Sequence, residues 1–310
     1  MNTAMWVTDR AGRFAFGIVA AFLLFISSSA FGQVASTADS IIFATTIAKA
    51  KDAGIDKLPI GERVAQMGEI FLDAPYVAHT LDSDATNEHV VIDLRGFDCV
   101  TFYENALALA RILKEYPKPV IENLRDELKF LRYRNGKLDG FHSRLNYTID
   151  YFYNAGLKKV LRDMTYTIGG KNVKYDNRTI NFMTTHRALY SQLANNDAEF
   201  SAMQKVEKEM RSQKNFYYIS KSDVSDIESK IETGDILGIR TDIDGLDCSH
   251  TGIAIRMPDG RIHFLHASSV MGKVIVSQEP LSDYLGHNPH QTGIMIERPL
   301  ETAPYKPSQN

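Results

Sequence analysis

Apolar residues recur every three or four positions through most of the N-terminal two thirds of the chain. This spacing is typical of amphipathic helices, which bury one face and expose the other. In the second predicted helix, for example, Val64, Met67 and Phe71 fall on one face. Prolines and glycines divide the pattern into separate segments. The predicted helices span residues 37–52, 61–72, 99–115, 120–132, 148–161 and 184–213, the last as one or two helices.

The pattern changes in the last third of the chain, where apolar and polar residues alternate in short runs. Alternation with a period of two is typical of strands that bury one face. Pro258, Asp259 and Gly260 form a turn between two of these runs, which predicts a β-hairpin. Helices followed by antiparallel strands predict an α+β fold. The predicted strands span residues 90–94, 216–219, 235–239, 251–255, 261–267, 274–277 and 293–297, with a further hairpin over 166–181 and a helical turn over 281–285.

The N-terminus has the organisation of a secretory signal. Arg10 and Arg13 precede an apolar run from Phe14 to Ile26, and small residues then lead to a cleavage point before Gln33. The run is shorter than the roughly 20 residues that a membrane span needs. We therefore expect residues 1–32 to be removed and the protein to be exported, to the periplasm or beyond. An uncleaved anchor is the alternative, and after cleavage no stable membrane insertion is expected.

Composition and charge narrow the class of protein. The chain has 310 residues, of which 44% are hydrophobic, enough for one sizeable core. A formal net charge of −3 leaves no basic excess to neutralise phosphates, so no nucleic-acid partner is expected. The two cysteines, Cys99 and Cys248, leave a disulfide open as an alternative, because exported proteins form disulfides readily.

Cys99 stands where a polar, glycine-led segment enters a long apolar helix. The first turn of a helix carries unpaired N–H groups and the positive end of the helix dipole. Both features favour a thiolate over a thiol, so we expect the pKa of Cys99 to be lowered. A cysteine in this position is a candidate nucleophile if a histidine lies beside it.

Two histidines occur on the strands of the predicted hairpin. His250 opens the first strand and His266 lies late in the second, so the turn at 258–260 brings them near each other. Alternation places His266 on the same face as Phe264, while His263 points the other way. We therefore predict His250 as the base for Cys99 and His266 as the residue that orients it.

Four short motifs occur in order along the chain: Asp98-Cys99, Gly234-Asp235-Ile236-Leu237, Ser249-His250-Thr251-Gly252-Ile253 and Phe264-Leu265-His266-Ala267-Ser268. By these motifs the chain resembles the papain-like cysteine peptidases of the NlpC type, which act on bacterial cell walls. Within that superfamily, residues 97–102 and 141–147 are most similar to an exported branch described as N-acetylmuramoyl-L-alanine amidase-like. The resemblance implies a papain-like core in which a nucleophile helix packs on an antiparallel sheet.

The resemblance implies hydrolysis of an amide bond in peptidoglycan or muropeptides, through a Cys-His-His triad and an acyl-enzyme. It involves no cofactor and no metal. The Cys99 N–H and the Tyr76 hydroxyl are candidate oxyanion donors, and Arg144 is a candidate partner for a stem-peptide carboxylate. The further candidates for oxyanion or substrate binding are Asp98, His142, Tyr147 and Ser249.

The resemblance also divides the chain into parts. It predicts a single catalytic domain over 33–310, in which 75–114 and 233–298 form the core. Because 151 residues separate Cys99 from His250, residues 115–232 are expected to be a mostly helical insertion that shapes the substrate cleft. The N-terminal helices occupy 33–74, and 299–310 form a tail.

Three alternatives remain open at the level of sequence. One is cleavage of the bond between D-glutamate and the diamino acid, in place of the muramoyl–L-alanine bond. A second is a zinc amidase, which lacks support because no two histidines have helical i, i+4 spacing beside a glutamate. The third is a wall-binding protein without catalysis, in which Cys99 is dispensable.

Overall fold

The strands form one antiparallel sheet, and its order is set by pairings between distant parts of the chain. The computed structural model describes residues 35–82, 84, 87–212 and 216–302; the predicted signal segment and most of the predicted tail lie outside these residues. Within them the sheet has eight strands in the order β2-β3-β8-β4-β5-β6-β7, with β1 paired to β8. The strands are β1 (Leu161–Asp163), β2 (Val173–Asp176), β3 (Phe216–Ser220), β4 (Ile236–Thr241), β5 (Cys248–Arg256), β6 (Ile262–Ser268), β7 (Lys273–Val276) and β8 (Gln291–Pro299).

Helices supply most of the first half of the chain, as the apolar periodicity predicts. None of the described helices is long and apolar enough to cross a membrane. The α-helices are α1 (Thr37–Asp52), α2 (Ile60–Glu69), α3 (Cys99–Glu115), α4 (Ile121–Arg132), α5 (Thr148–Leu157), α6 (Thr165–Gly169), α7 (Phe182–Thr185), α8 (Ser191–Ala194), α9 (Asp197–Ser212), α10 (Val224–Ile227) and α11 (Leu281–Tyr284). The α+β class with an antiparallel sheet is therefore confirmed.

Both faces of the sheet are covered, and alternate residues serve the two sides. On β5 and β6, Ile253 and Leu265 join the larger core, which contains the buried residues of α1 to α5. Their neighbours Ala254 and Phe264 join a smaller core with residues of α6, α10 and α11. Helix α3 lies directly against β5 and β6 on the side of the larger core. The start of α3 is thereby brought to the start of β5.

One predicted strand is absent. Residues 90–94 have no ladder pairing, and side chains of two helices bind part of their backbone instead. Asp39 of α1 accepts the N–H of Leu94 at 2.9 Å, and Arg132 of α4 donates to the carbonyl of Val91 at 2.9 Å. This segment is therefore bound between α1 and α4 and adds no strand to the sheet.

The predicted hairpin over 166–181 is also wrong. Its first half is helix α6, where Asp163 accepts the N–H of Thr165 at 2.8 Å and opens the first turn. Its second half, β2, pairs with β3, some forty residues further along the chain. Residues 115–232, predicted as an insertion, are mostly helical but also extend the sheet by β1, β2 and β3.

Candidate active site

Cys99 is the first residue of α3, and the residue before it determines where the helix begins. Asp98 is the N-cap and accepts the N–H groups of Val100 at 3.0 Å and Thr101 at 2.7 Å. The Thr101 hydroxyl reciprocates at 3.0 Å by accepting the Asp98 N–H, which completes a capping box. Asp98 is therefore the cap of α3, and its candidate role in oxyanion or substrate binding stays a prediction.

Aromatic packing anchors the chain where it enters α3. Phe97 is fully buried and packs edge-on against Phe71 and Phe102, with ring centroids 5.0 and 6.1 Å apart. One turn further on, Glu104 and Arg132 form a buried ion pair at 2.9 Å that joins α3 to α4. Because the helix is fixed at both levels, the position of Cys99 is fixed as well.

The thiol of Cys99 meets the sheet at Thr251, the residue that follows His250. The Thr251 hydroxyl donates to the Cys99 carbonyl at 3.0 Å. Both the side chain and the backbone N–H of Thr251 also hydrogen-bond to the thiol. The sulfur thus lies against the peptide bond between His250 and Thr251. Thr251 was not among the predicted site residues, although it stands inside the quoted Ser-His-Thr-Gly motif.

The predicted thiolate is not present in the resting site. Burial, together with the negative charge of Asp98, raises the pKa of Cys99 to about 11, and the hydrogen bonds from Thr251 lower it only in part. The expected lowering by the helix start is therefore wrong. At neutral pH Cys99 is a neutral thiol that needs a base to become a nucleophile.

His250 and His266 are hydrogen-bonded to each other. The Nε2 atom of His250 lies 2.7 Å from the Nδ1 atom of His266. The register pairs Ala254 with Phe264, and its continuation sets His266 opposite Gly252. The two histidines are therefore diagonal neighbours across the ladder. Burial lowers the pKa of His250 to about 4 and that of His266 to about 3, so both rings are neutral at pH 7.

Aromatic rings hold the histidine pair in place. Phe264 stacks on His266 at 4.7 Å and meets His250 edge-on at 5.6 Å, while Tyr284 of α11 lies 5.3 Å from His266. Gly252 makes this packing possible, because a Cβ there would come within 2.7 Å of the Phe264 ring. The glycine of the Ser-His-Thr-Gly motif therefore serves close packing beneath the histidines.

His263 belongs to the opposite face, as predicted. Its Nδ1 atom lies 2.8 Å from the carbonyl of Ser277, and its Nε2 atom lies 3.0 Å from Asp259. It has no place in the cluster around His250. His263 is thus a buried histidine on the same strand whose ring nitrogens are bound away from the His250–His266 pair.

A cavity of about 840 Å³ opens beside the histidine pair. Ser249, His250, His266, Tyr284 and Gln291 line it, together with the segment 268–271 and residues near the start of β8. The Nε2 atom of His266 and the Oε1 atom of Gln291 are both buried without a hydrogen-bond partner among the described residues. The cavity is within the size range of small-molecule sites and presents polar atoms that a ligand can satisfy.

Tyr76 lies near Cys99. A bridge to Phe97 brings the residue alongside the segment that leads into α3. Burial raises the pKa of its hydroxyl, and the charges of Cys99 and Asp98 raise it further, which places all three groups in one electrostatic environment. Tyr76 therefore keeps its phenol proton at neutral pH and remains available as a donor.

The three candidates from the 141–147 loop are each bound to carboxylates of the protein. His142 binds Glu199 at 2.9 Å, and Tyr147 donates to Glu207 at 2.8 Å. Arg144 is buried and pairs with Asp82 at 3.1 Å and with Glu88 at 2.8 Å. None of these three lines the cavity beside His250. Their role in substrate binding stays a prediction.

The other polar features are also accounted for. Cys99 and Cys248 are both free, and Cys248 is buried beneath Gly238. In the acidic turn that follows β4, Asp242 binds His290 at 2.8 Å, and the buried Asp247 accepts the N–H of Ile149 at 2.8 Å. The described residues contain no group of three side chains arranged to hold a metal ion.

Solved structures resemble the fold over most of its length. An N-acetylmuramoyl-L-alanine amidase from Bacteroides uniformis ATCC 8492 is 36% identical, covers 78% of this chain and 99% of its own, and superposes with a TM-score of 0.72. A protein from Bacteroides fragilis, named as a candidate xylanase, is 38% identical over 74% of this chain and 98% of its own, with a TM-score of 0.68. A Legionella pneumophila protein shares the fold at 23% identity, with coverages of 86% and 95% and a TM-score of 0.64.

Sequence comparison gives one family. No curated protein matches the chain. The model of the AmiA-like family, described as N-acetylmuramoyl-L-alanine amidase-like, matches residues 66–294, which include Cys99, His250 and His266. This match covers well over half of the chain, and the Bacteroides uniformis amidase aligns over nearly its whole length. The chain therefore belongs to the AmiA-like family of N-acetylmuramoyl-L-alanine amidase-like proteins.

Proposed function

We propose that the protein is an exported cysteine amidase that hydrolyses an amide bond in peptidoglycan or muropeptides. Cys99 is the nucleophile, His250 the base and His266 its orienting partner, in a papain-like core of the NlpC type. The single observation that carries the proposal is the 2.7 Å contact between His250 and His266 at the point where the Cys99 thiol meets β5. A nucleophile, a base and a third group that holds the base are the parts that acyl transfer needs.

The first half of the reaction starts from a neutral thiol and a neutral imidazole. As sulfur attacks the carbonyl carbon, the thiol proton passes to Nδ1 of His250. The Nε2–H of His250 donates to Nδ1 of His266, and this hydrogen bond strengthens when His250 becomes positive. The tetrahedral oxyanion accepts the Cys99 N–H and the Tyr76 hydroxyl.

The second half returns the site to its starting state. Collapse of the tetrahedral species breaks the C–N bond, and His250 gives its proton to the departing amine. Water then adds to the thioester with His250 again accepting a proton, and release of the carboxylic acid restores the thiol. The low pKa of His250 keeps this base unprotonated at neutral pH. When substrate is bound in the buried site, the basicity of His250 rises only as the anion forms.

The cavity beside the histidines is the proposed substrate site. Two of its polar atoms have no hydrogen-bond partner among the described residues, namely Nε2 of His266 and Oε1 of Gln291. They offer one donor and one acceptor to an amide or hydroxyl of the substrate. Ser249 is exposed at the rim and adds a hydroxyl. The family and the Bacteroides uniformis amidase support the muramoyl–L-alanine bond as the bond that is cleaved.

Chemical inactivation tests the cysteine mechanism. Iodoacetamide is expected to abolish hydrolysis of muropeptides, while a chelator is expected to leave the rate unchanged. Cys99→Ala is expected to remove activity, and Cys248→Ala is the matched control because Cys248 is the other free thiol. Loss of activity with chelator alone would favour a zinc amidase. Binding of muropeptides without turnover by the wild-type protein would favour the non-catalytic alternative.

A further inference from the structure

A second cavity lies on the other side of the sheet from the histidine pair. It has a volume of about 590 Å³ and is enclosed by α5, the β1–α6 connection, β3 and β8. Glu297 on β8 reaches it from the strand position opposite Ile236, whereas His250 lies opposite Ile239. Three residues of strand are roughly 10 Å. Ile296 belongs to the smaller core, together with Phe264. Because side chains alternate along a strand, Glu297 lies on the other face of the sheet, away from Phe264 and the histidines.

Two acidic side chains meet in this cavity. Glu297 is only 5% exposed, and its Oε2 atom has no hydrogen-bond partner among the described residues. Asp163 lies directly opposite Glu297 in the β1–β8 ladder. Burial, with Asp163 and Asp235 nearby, raises the pKa of Glu297 well above its ordinary value, so its ionised form is favoured only when a cation lies beside it. Asp235 is held by Arg298 at 2.8 Å, but among the described residues no basic side chain pairs with Glu297 or Asp163.

The rest of the wall is aromatic and apolar. Tyr166 and Tyr217 meet edge-on at 5.1 Å, and the Tyr166 ring is 61% exposed at the mouth of the cavity. Phe152, Tyr153 and Phe216 contribute further rings. Among the described residues that line the cavity there is no lysine, arginine or histidine. A carboxylate pair among aromatic rings, without a basic side chain, is complementary to a cation.

We propose that this cavity binds the primary ammonium group of an organic ligand, with Glu297 and Asp163 as its counter-charges and the aromatic rings around its alkyl stem. A primary ammonium fits better than a quaternary one because the unpaired Oε2 of Glu297 is an acceptor that requires an N–H donor. A neutral sugar would use the aromatic faces but would leave the acidic pair without a counter-charge. The ligand is either a free alkylamine or an amino side chain on a peptide.

Paired probes that differ in one charge test the proposal on the full chain. Pentylamine is compared with pentanol, and Nα-acetyl-lysine amide with its Nε-acetylated form, by titration calorimetry at neutral pH. The amines are expected to bind at roughly millimolar concentration, as suits ligands of this size. The neutral probes are expected to bind at least about tenfold more weakly. Binding of pentylamine alone would identify free alkylamines, and binding of the lysine amide would extend the site to peptides.

Variants separate the site from the catalytic centre. Glu297→Gln keeps the shape of the side chain and is expected to weaken amine binding about tenfold. Glu232→Gln is the matched control, because Glu232 is exposed and pairs with Arg298 outside the cavity. Tyr166→Ala, an exposed position, gives a second reading if Glu297→Gln does not fold. The proposal would be overturned if pentanol bound as well as pentylamine, or if N-acetylglucosamine were preferred. It would also be overturned if Glu297→Gln bound amines with wild-type affinity, or if no amine bound at about ten times the expected concentration.

Discussion

Replacement of His266 by phenylalanine isolates the role of the histidine pair. The new ring keeps the stacking on Phe264 and the edge contact with Tyr284, at 4.7 and 5.3 Å in the wild type. It removes the acceptor that lies 2.7 Å from Nε2 of His250. It also removes the buried Nε2 atom of His266, which has no partner among the described residues. The change therefore takes away one hydrogen bond while leaving the packing of the site in place.

The expected cost falls on the transition state. Before the proposed reaction both rings are neutral, and such a hydrogen bond contributes about 0.5–1.5 kcal/mol. In the proposed mechanism His250 accepts the thiol proton, and the bond then becomes charge-assisted and contributes about 1.5–3 kcal/mol. Only the difference between the two contributions, about 1–1.5 kcal/mol, is specific to the transition state, so kcat is expected to fall about 5- to 15-fold. KM is expected to change little, since His266 holds the base and its loss leaves the cavity open.

Steady-state hydrolysis of a purified muropeptide measures this split between kcat and KM. His266→Asn restores an acceptor and is expected to recover part of the rate. His263→Phe is the matched control on the same strand, because His263 faces Ser277 and Asp259 away from the site. It is expected to lower stability without lowering kcat. Wild-type kcat in a folded His266→Phe protein would refute the proposed role of His266.

Three further predictions address the charge state and the framework of the site. Activity is expected to hold from neutral pH down to about 4 and to fall below it, because protonation of His250, whose pKa is about 4, removes the base; a pH–rate profile measures this. Asp98→Ala is expected to destabilise the protein by about 1 kcal/mol through loss of the helix cap, which denaturant unfolding measures. It is also expected to lower the pKa of Cys99 by removing a negative neighbour, which the rate of thiol alkylation against pH measures. Glu104→Gln is expected to cost about 3–5 kcal/mol because it leaves Arg132 as a buried, unpaired charge, and a thermal midpoint close to that of the wild type would contradict this.

Local sequence signals predicted the parts of the site that depend on short-range physics. The helix beginning at Cys99 follows from the cap at Asp98 and the apolar run behind it. The shared face of His250 and His266 follows from strand alternation around one turn. These features needed only the period of the pattern and the chemistry of a few neighbouring residues.

Long-range packing determined what the sequence could not predict. The raised pKa of Cys99 depends on burial beneath β5 and on Thr251, which lies far along the chain. Arg144 is paired with Asp82 and Glu88, which come from a loop that precedes α3. Likewise β2 pairs with a strand that the local pattern could not select. In each case the deciding contact joins residues that no periodicity connects.

Mass spectrometry of muropeptides incubated with the purified protein tests the central claim most directly. The account predicts that the wild-type protein releases the intact stem peptide with a free L-alanine amino group, and that Cys99→Ala releases none. Release of a fragment cut between D-glutamate and the diamino acid would move the activity to the endopeptidase alternative. Equal product from wild type and Cys99→Ala would contradict the assignment of Cys99 as the nucleophile.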